Sequence, residues 1–336
     1  MTELYDVAAI GNAIVDVIAP AGDEFLRAEG LAKGAMTLID EAKAAYLYER
    51  MAPGIEASGG SAGNTVAGVA SLGGRSAYIG KVADDALGGI FTHDIRAIGA
   101  HFATPPLKGG PATARCLINV TPDGERTMCT YLGACVELTA ADVDPATVEA
   151  AKVLYLEGYL FDPPEARRAF AKAAGLAHGS GRKIALSLSD AFVAERHRHA
   201  LLAFIDAQVD ILFANESEIA ALFETGNWAA AAREVRKRVE ITAITRGEAG
   251  SLVLCPETEH IIAAAPVAQV MDTTGAGDQY AAGFLFGLAN GKPLDVCGQL
   301  ASLAAAEVIG HYGPRPETSL AELARARGLA GGLEMA

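Results

Sequence analysis

At 336 residues, 51% of them hydrophobic, the chain is long enough to bury a large core as one α/β domain or two modest ones. Its 41 acidic residues outnumber 27 basic ones and leave a net charge of −14, which argues against a nucleic-acid or anionic-membrane partner, since either requires a basic face. The five cysteines (Cys116, Cys129, Cys135, Cys255, Cys297) are odd in number and lack C-x-x-C spacing, the usage of a chain kept reduced in the cytoplasm.

In chain order, residues 1–6 are acidic and lead into a strand, so no signal peptide is expected. No apolar run approaches the ~18 residues that a membrane span needs. Short apolar segments at 7–11, 77–82, 153–156, 184–188, 211–213 and 242–245 have the length of buried strands. Helical stretches are expected between them at 87–98, 164–177, 195–204, 216–223 and 228–239. That alternation predicts an α/β fold, a mainly parallel sheet covered by helices on both faces, with ligands beyond the carboxyl ends of the strands. Two segments break the rhythm: 36–39 with its surroundings, and 113–131, a polar-apolar hairpin turning at Thr121-Pro122-Asp123-Gly124. Residues 52–58 make a poor strand.

The run Asp272-Thr273-Thr274-Gly275-Ala276-Gly277-Asp278 precedes a helical stretch at 279–289. The first amides of a helix have no partner inside it and, with the helix dipole, attract a phosphate oxygen. Gly275 and Gly277 allow the backbone to come close to such an anion or to adopt positive φ. A carboxylate there would repel the phosphate unless its task is to take a proton from the attacking group, so Asp278 reads as a general base and the pattern as phosphoryl transfer to an alcohol. The alternative is a flexible turn with an acidic residue in a first helical turn.

A second glycine loop, Gly59-Gly60-Ser61-Ala62-Gly63-Asn64-Thr65, opens a small-residue helix that ends at Gly73-Gly74. With both motifs in this order, the chain resembles the PfkB (ribokinase) family of carbohydrate and nucleoside kinases over nearly its whole length. The resemblance implies a single domain over 1–336, a ribokinase-like three-layer αβα sandwich, with segments 13–40 and 112–132 forming a small β-sheet lid over the substrate. A surface hairpin without a moving role is the alternative for the second segment. It also implies ATP and Mg²⁺ as cofactors, and amides of Gly275, Ala276 and Gly277 as an anion hole.

Further residues take roles by the same resemblance. Asn12, Asp16, Gly59, Gly60, Ser61 and Asn64 match the acceptor pocket, Asp16 being suited to a vicinal diol. Tyr159 either stacks on a purine or is core. Asn215 and Glu218 match an N-x-x-E motif that arranges Mg²⁺ through water, and equally read as a helix cap. Thr245, Arg246, Gly247 and Gly250 match a nucleotide-side T-x-G-x-x-G stretch, with Arg246 on a phosphate or simply solvated, and 301–310 is a small-residue helix of the kind laid against adenine. Asp272 and Thr274 match positions that some relatives use for K⁺. G-N-x-x-x-D followed by G-G-S-x-x-N looks more like adenosine kinases than like ribokinases, although Ala114-Arg115-Cys116 departs from the lid of the animal enzymes. The expected substrate is therefore a nucleoside, adenosine first, with a sugar (fructokinase or ribokinase type) as runner-up, in a monomer or homodimer.

From other classes, Gly59-Gly60-Ser61-Ala62-Gly63 also fits the G-x-S-x-G elbow of serine hydrolases, but the poor strand before it and the unused 272–278 motif weigh against that. A nucleotide-binding regulator without turnover is disfavoured by Asp278.

Overall fold

The computed structural model describes residues 5–329; residues 1–4, the start of the segment read as lacking a leader, lie outside them. The amino-terminal half runs β1 (Tyr5–Ile10), β2 (Ile14–Pro20), α1 (Asp23–Ala28), β3 (Met36–Leu38), α2 (Glu41–Arg50), β4 (Ile55–Ser58), α3 (Ser61–Ser71), β5 (Ser76–Ile79), α4 (Ala86–Ala97), β6 (His101–Phe102), β7 (Ala114–Val120) and β8 (Arg126–Tyr131). It continues with α5 (Pro145–Glu149), β9 (Ala151–Glu157), α6 (Pro164–Gly179), β10 (Lys183–Ser187), α7 (Ala191–Arg196), α8 (Arg198–Gln208), β11 (Ile211–Asn215), α9 (Glu216–Leu222), α10 (Trp228–Val235) and β12 (Ile241–Thr245). β13 (Ser251–Leu254), β14 (Glu259–Ile262), α11 (Ala276–Ala289), α12 (Leu294–Val308) and α13 (Leu320–Ala326) complete it.

The large sheet has the order β14-β13-β12-β11-β10-β9-β1-β5-β6, parallel from β12 to β6 with an antiparallel edge at β13 and β14. Its strands are apolar on both faces because both are covered. Val7, Ala9, Tyr155 and Phe213 face α3 and α11, while Ala8, Ile10, Leu154 and Leu212 face the side of α6 and α8. This is the three-layer αβα sandwich of the ribokinase-like fold. Strand order reverses between β1 and β9, which places a crevice beyond their carboxyl ends.

The second sheet, β3-β8-β7-β2-β4, is built from the segments that break the αβ rhythm, joined by β4, which the sequence reading had dismissed. β4 is short and half exposed, so its apolar content is low, but it pairs antiparallel with β2 from Val15↔Ser58 to Ile18↔Ile55. One face of this sheet is closed: Val15, Val17, Leu117 and Cys129 are buried with Leu47 of α2 and Phe25 of α1. The expected helix at 195–204 is instead α7 and α8, broken at His197, whose Nε2 lies 2.6 Å from Asp162. Asp190 starts α7 early by capping the Phe192 amide at 2.7 Å. Among the described residues, no helix is long and apolar enough to cross a membrane, and all five cysteines are free.

α3, α11 and α12 approach closely because small residues line their contacts. A Cβ on Gly283 would stand 2.5 Å from Leu300 O, in the backbone of α12. Gly283→Val is therefore expected to destabilise by at least ~1–3 kcal/mol, a fall in Tm of several degrees. An unchanged melting curve would show that the helices can part without penalty.

Candidate active site

The loop after β1 and the end of β9 meet at the point where strand order reverses. Glu157, 1% exposed, accepts from Asn12 N at 3.3 Å, Asn12 Nδ2 at 2.8 Å and Ala62 N at 2.9 Å, clipping that loop to the first turn of α3. Burial outweighs these bonds, the Asp278 charge adds to it, and the carboxyl is pushed up to about 7. Asn12 is 4% exposed and its Oδ1 has no partner among the described residues.

Both glycines of the Gly-Gly pair are set by close approach. A side chain on Gly59 would strike the Asp16 carboxylate, and one on Gly60, where φ is 83°, would strike Asn12 O. Asp16 thus sits against the mouth of α3. Burial pushes it up to about 6 against the opposing charges of Arg315 and Arg126, with Asp278 adding to the rise.

Asp278 lies in the first turn of α11, facing the first turn of α3. Ser61 Oγ donates to its Oδ1 at 2.6 Å and Asn64 Nδ2 to its Oδ2 at 2.9 Å. Thr65 Oγ1 reaches Asp278 O at 3.2 Å, and Gln279 Nε2 donates to Asn64 O at 2.9 Å. Two helix amino-termini therefore converge on one carboxyl, which burial pushes up to about 6 despite its two side-chain hydrogen bonds. Gly275 caps α11 at φ 78°, and no side chain caps the helix. Of the amides read as an anion hole, that of Ala276 already donates to Thr273 O at 3.2 Å. Those of Gly275, Gly277 and, beyond the expected set, Asp278 have no partner among the described residues. A Cβ on Gly277 would meet nothing within 4 Å, so the space before these amides is open.

Asp272 does not fit the K⁺ reading. Its Oδ1 accepts from Thr274 N at 3.0 Å and Thr274 Oγ1 at 2.7 Å; its Oδ2 accepts from Gly313 N at 3.0 Å and pairs with Arg126. Burial alone would raise this carboxyl, but the Thr274 and Gly313 bonds and the Arg126 charge hold it below the usual range. The carboxylate is saturated and already paired with a cation. Arg126, first residue of β8, thereby ties the small sheet to the loop before α11.

On the nucleotide side, Asn215 and Glu218 form a complete capping box: Asn215 Oδ1 accepts from Glu218 N at 2.9 Å, and Glu218 accepts from Asn215 N at 3.1 Å and Nδ2 at 2.7 Å. Burial, with Asp190 adding, raises Glu218 to about 7. Thr245, Gly247 and Gly250 build the turn from β12 to β13, with φ of 54° at Gly247 and 81° at Gly250. Arg246 donates to Glu216 at 3.0 Å and lies 4.7 Å over the Trp228 ring. These residues do not touch the Asp278 cluster. Tyr159 is 36% exposed on the turn after β9, so it is not core. Burial and the charges of Asp190, Glu157, Asp278 and Glu218 push its hydroxyl upward.

Sequence reasoning missed Glu157, Gln279, Arg126 and Arg315. Glu157 carried a signal, an acid closing an otherwise apolar strand; Arg126 begins a hairpin strand and Arg315 lies in a loop, and neither belongs to a glycine motif. The Ser61 elbow reading also changes: a strand does precede the loop, but it belongs to the small sheet, and the Ser61 hydroxyl is bonded to Asp278.

Unpaired amides beside a half-buried carboxylate suit phosphoryl transfer to a hydroxyl. The comparisons agree: residues 54–320 match the pfkB family carbohydrate kinases, and the chain belongs to that family. It is a phosphotransferase with an alcohol group as acceptor. The adenosine kinase from Sinorhizobium meliloti is 54% identical, covering 96% of this chain and 99% of that one with a TM-score of 0.89. A probable sugar kinase protein from Rhizobium etli CFN 42 is 49% identical, covering 98% and 100% with a TM-score of 0.91. The adenosine kinase of Saccharomyces cerevisiae is 28% identical over 331 residues, 92% of this chain and 96% of its own length.

The glycines of 275–277 separate two effects. Gly275→Ala forces a side chain into positive φ and to within 2.6 Å of Pro314 Cα, so it should lower Tm. A Cβ at position 277 meets nothing within 4 Å, so Gly277→Val should keep its Tm while losing turnover if the space beside these amides is the anion site. Parallel losses of Tm and turnover in Gly277→Val would make that glycine structural.

Proposed function

We propose that the protein transfers the γ-phosphoryl group of ATP to the 5′-hydroxyl of adenosine, giving AMP and ADP. The observation that carries the nucleoside reading is the face of the small sheet that shares Asp16. Pairing aligns Leu38, Thr130, Cys116 and Asp16 in one row and Met36, Met128, Ile118 and Ile18 in the next, all on one side of the pleat. Met36 and Leu38 are 50% and 58% exposed, so the edge of the wall is apolar and open, which suits the flat face of a purine better than a hexose. Arg126 and Asp16 on the same side reach the α11 loop and Gly59, which turns that wall toward the base. The high identity to the S. meliloti adenosine kinase supports the same reading. A sugar acceptor is the second reading, favoured by the R. etli neighbour.

In this mechanism, Asn12 Oδ1 and Asp16 accept hydrogen bonds from acceptor hydroxyls. Asp278, held by Ser61 and Asn64, takes the 5′-hydroxyl proton as that oxygen attacks phosphorus, and the free amides of α11 hold the developing charge. The donor set around Glu218, one buried carboxyl with Asp190 near it, fits a water-bridged Mg²⁺ held chiefly by phosphates, and such an ion would neutralise phosphate charge. Closure of the small sheet over the acceptor would exclude water. Five unpaired cysteines support a reducing cytoplasm.

A base raised to about 6 must be ionised to act, so kcat/KM should fall below about pH 6 and plateau above it. Asp278→Asn should lower kcat by ~10²–10⁴-fold with ATP affinity retained. Near-normal turnover by the folded variant would end the assignment of Asp278 as base.

The acceptor is tested by comparing kcat/KM for adenosine, 2′-deoxyadenosine, ribose and fructose. Adenosine should be preferred over its 2′-deoxy form by ~1–3 kcal/mol, and Asp16→Ala should shrink that preference with little change in ATP affinity. A tenfold advantage for a sugar would replace the nucleoside while leaving the phosphotransfer intact.

A further inference from the structure

Arg315 is a half-buried cation to which the phosphotransfer chemistry assigns no task. Its loop is pinned on three sides. Gly313 N donates to Asp272 at 3.0 Å, Pro314 packs against Gly275, and Gln279 Nε2 donates to Pro314 O at 3.0 Å. From there the guanidinium enters the acceptor side: Nη1 donates to Ser58 Oγ at 2.7 Å, Nε to Asn64 Oδ1 at 3.4 Å, and Nη2 is buried without a partner. The charges of Asp16 and Asp94 favour the cation that burial disfavours.

The chemistry of the Asn64 amide makes this contact consequential. A guanidinium offers only donors, so it faces the amide oxygen; the NH₂ end is then turned to Asp278, where it donates at 2.9 Å. A flipped amide would set an oxygen against the carboxylate and an NH₂ against the cation, both repulsive. The carboxylate alone already favours this orientation, and the guanidinium adds to the preference from the other end of the amide.

We propose that Arg315 is a positioning residue that locks the Asn64 amide in the orientation donating to Asp278, a relay from guanidinium through amide to base. The proposal rests on Asp278 being the base of the kinase reaction. Facing Asp278 are Ser61 and Asn64 of α3, Asp16 of β2, Tyr155 and Glu157 of β9, and Tyr159 beyond it. Ser61 and Asn64 favour the ionised form against burial, and the Asp278 charge in turn raises Asp16 and Glu157. Loss of Arg315 removes one of the two restraints on the amide, weakens its bond to the ionised form, and raises the base's pKa. The acidic limb of kcat/KM then moves to higher pH. A residue that only braced the loop would leave that limb where it is.

The experiment measures kcat, KM for ATP and adenosine, and the pH profile of wild type, Arg315→Met, Arg315→Lys, Asn64→Ala and the Arg315→Met, Asn64→Ala double variant. Arg315→Met should lower kcat by roughly tenfold, leave the KM for ATP within about twofold, and shift the acidic limb up by about one pH unit, the worth of one hydrogen bond to a charged group. In the Asn64→Ala background the same substitution should add little, since its effect passes through that amide. An unshifted limb, or a full additive loss in the Asn64→Ala background, overturns the relay. If Arg315→Met does not fold, Arg315→Lys decides: it keeps the charge but not the Nε donor, so a partial shift supports the relay and a wild-type profile overturns it. If wild-type enzyme phosphorylates no alcohol acceptor, the base assignment fails and the relay with it, an outcome distinct from an active wild type indifferent to Arg315.

Discussion

The site depends on one arrangement: a carboxylate, Asp278, set where the amino-termini of α3 and α11 face each other. Each helix brings donors that its own backbone cannot use. α3 spends side-chain donors, Ser61 and Asn64, on the carboxylate, while α11 leaves backbone amides free beside it. Neither helix could approach so closely with larger residues. A side chain on Gly68 would strike Gln279, and one on Gly275 would strike Pro314. The abundance of alanine and glycine in these segments is thus a requirement of geometry as much as of helix propensity.

Three carboxyls, Asp16, Glu157 and Asp278, share this pocket; each is raised by burial, and the Asp278 charge adds to the rise of the other two. A carboxyl whose folded pKa lies above its unfolded one opposes folding as pH rises through that interval, and the penalty is complete above the folded value. For Asp16 and Asp278 the interval runs from 3.8 to about 6. The molecule carries that penalty at neutral pH and offsets it with Arg315, Arg126 and buried N–H groups. On the proposed mechanism this environment has a use: a base near neutrality with acceptors for hydroxyl groups beside it needs buried, mutually close carboxyls.

The small sheet divides its two faces by task. The face carrying Val15, Leu117 and Cys129 is buried against α1 and α2 and holds the sheet together. The opposite face carries Asp16 and Arg126 among apolar side chains; Cys116, Ile118 and Thr130 along it are buried, while Met36 and Leu38 at its edge are exposed. The Arg126–Asp272 pair joins that face to the α11 loop, so the carboxylate that resembles a cation ligand in sequence is a structural anchor in the fold.

Much of this was legible in the sequence, and the reasons are local. Apolar strands 4 to 7 residues long in the large sheet and the helices between them are recorded in hydrophobic patterning, so the parallel sheet and its two covered faces followed from it. The glycine loops were visible because positive φ at Gly60 and Gly275 restricts residue type at those positions. β4 was not legible, because a short half-exposed strand has little pattern and exists by pairing with β2. The break at His197 was hidden for a similar reason, since its Asp162 partner is remote in sequence. Glu157, Gln279, Arg126 and Arg315 lie outside both motifs. Their partners are 145, 215, 146 and 251 residues away, as Asn12, Asn64, Asp272 and Asn64 respectively. The sequence determined which residue types could make an anion site and a base. Only the tertiary structure decided which charges surround Asp278 and which amides stay free, because burial and long-range hydrogen bonds exist only once distant segments are packed together.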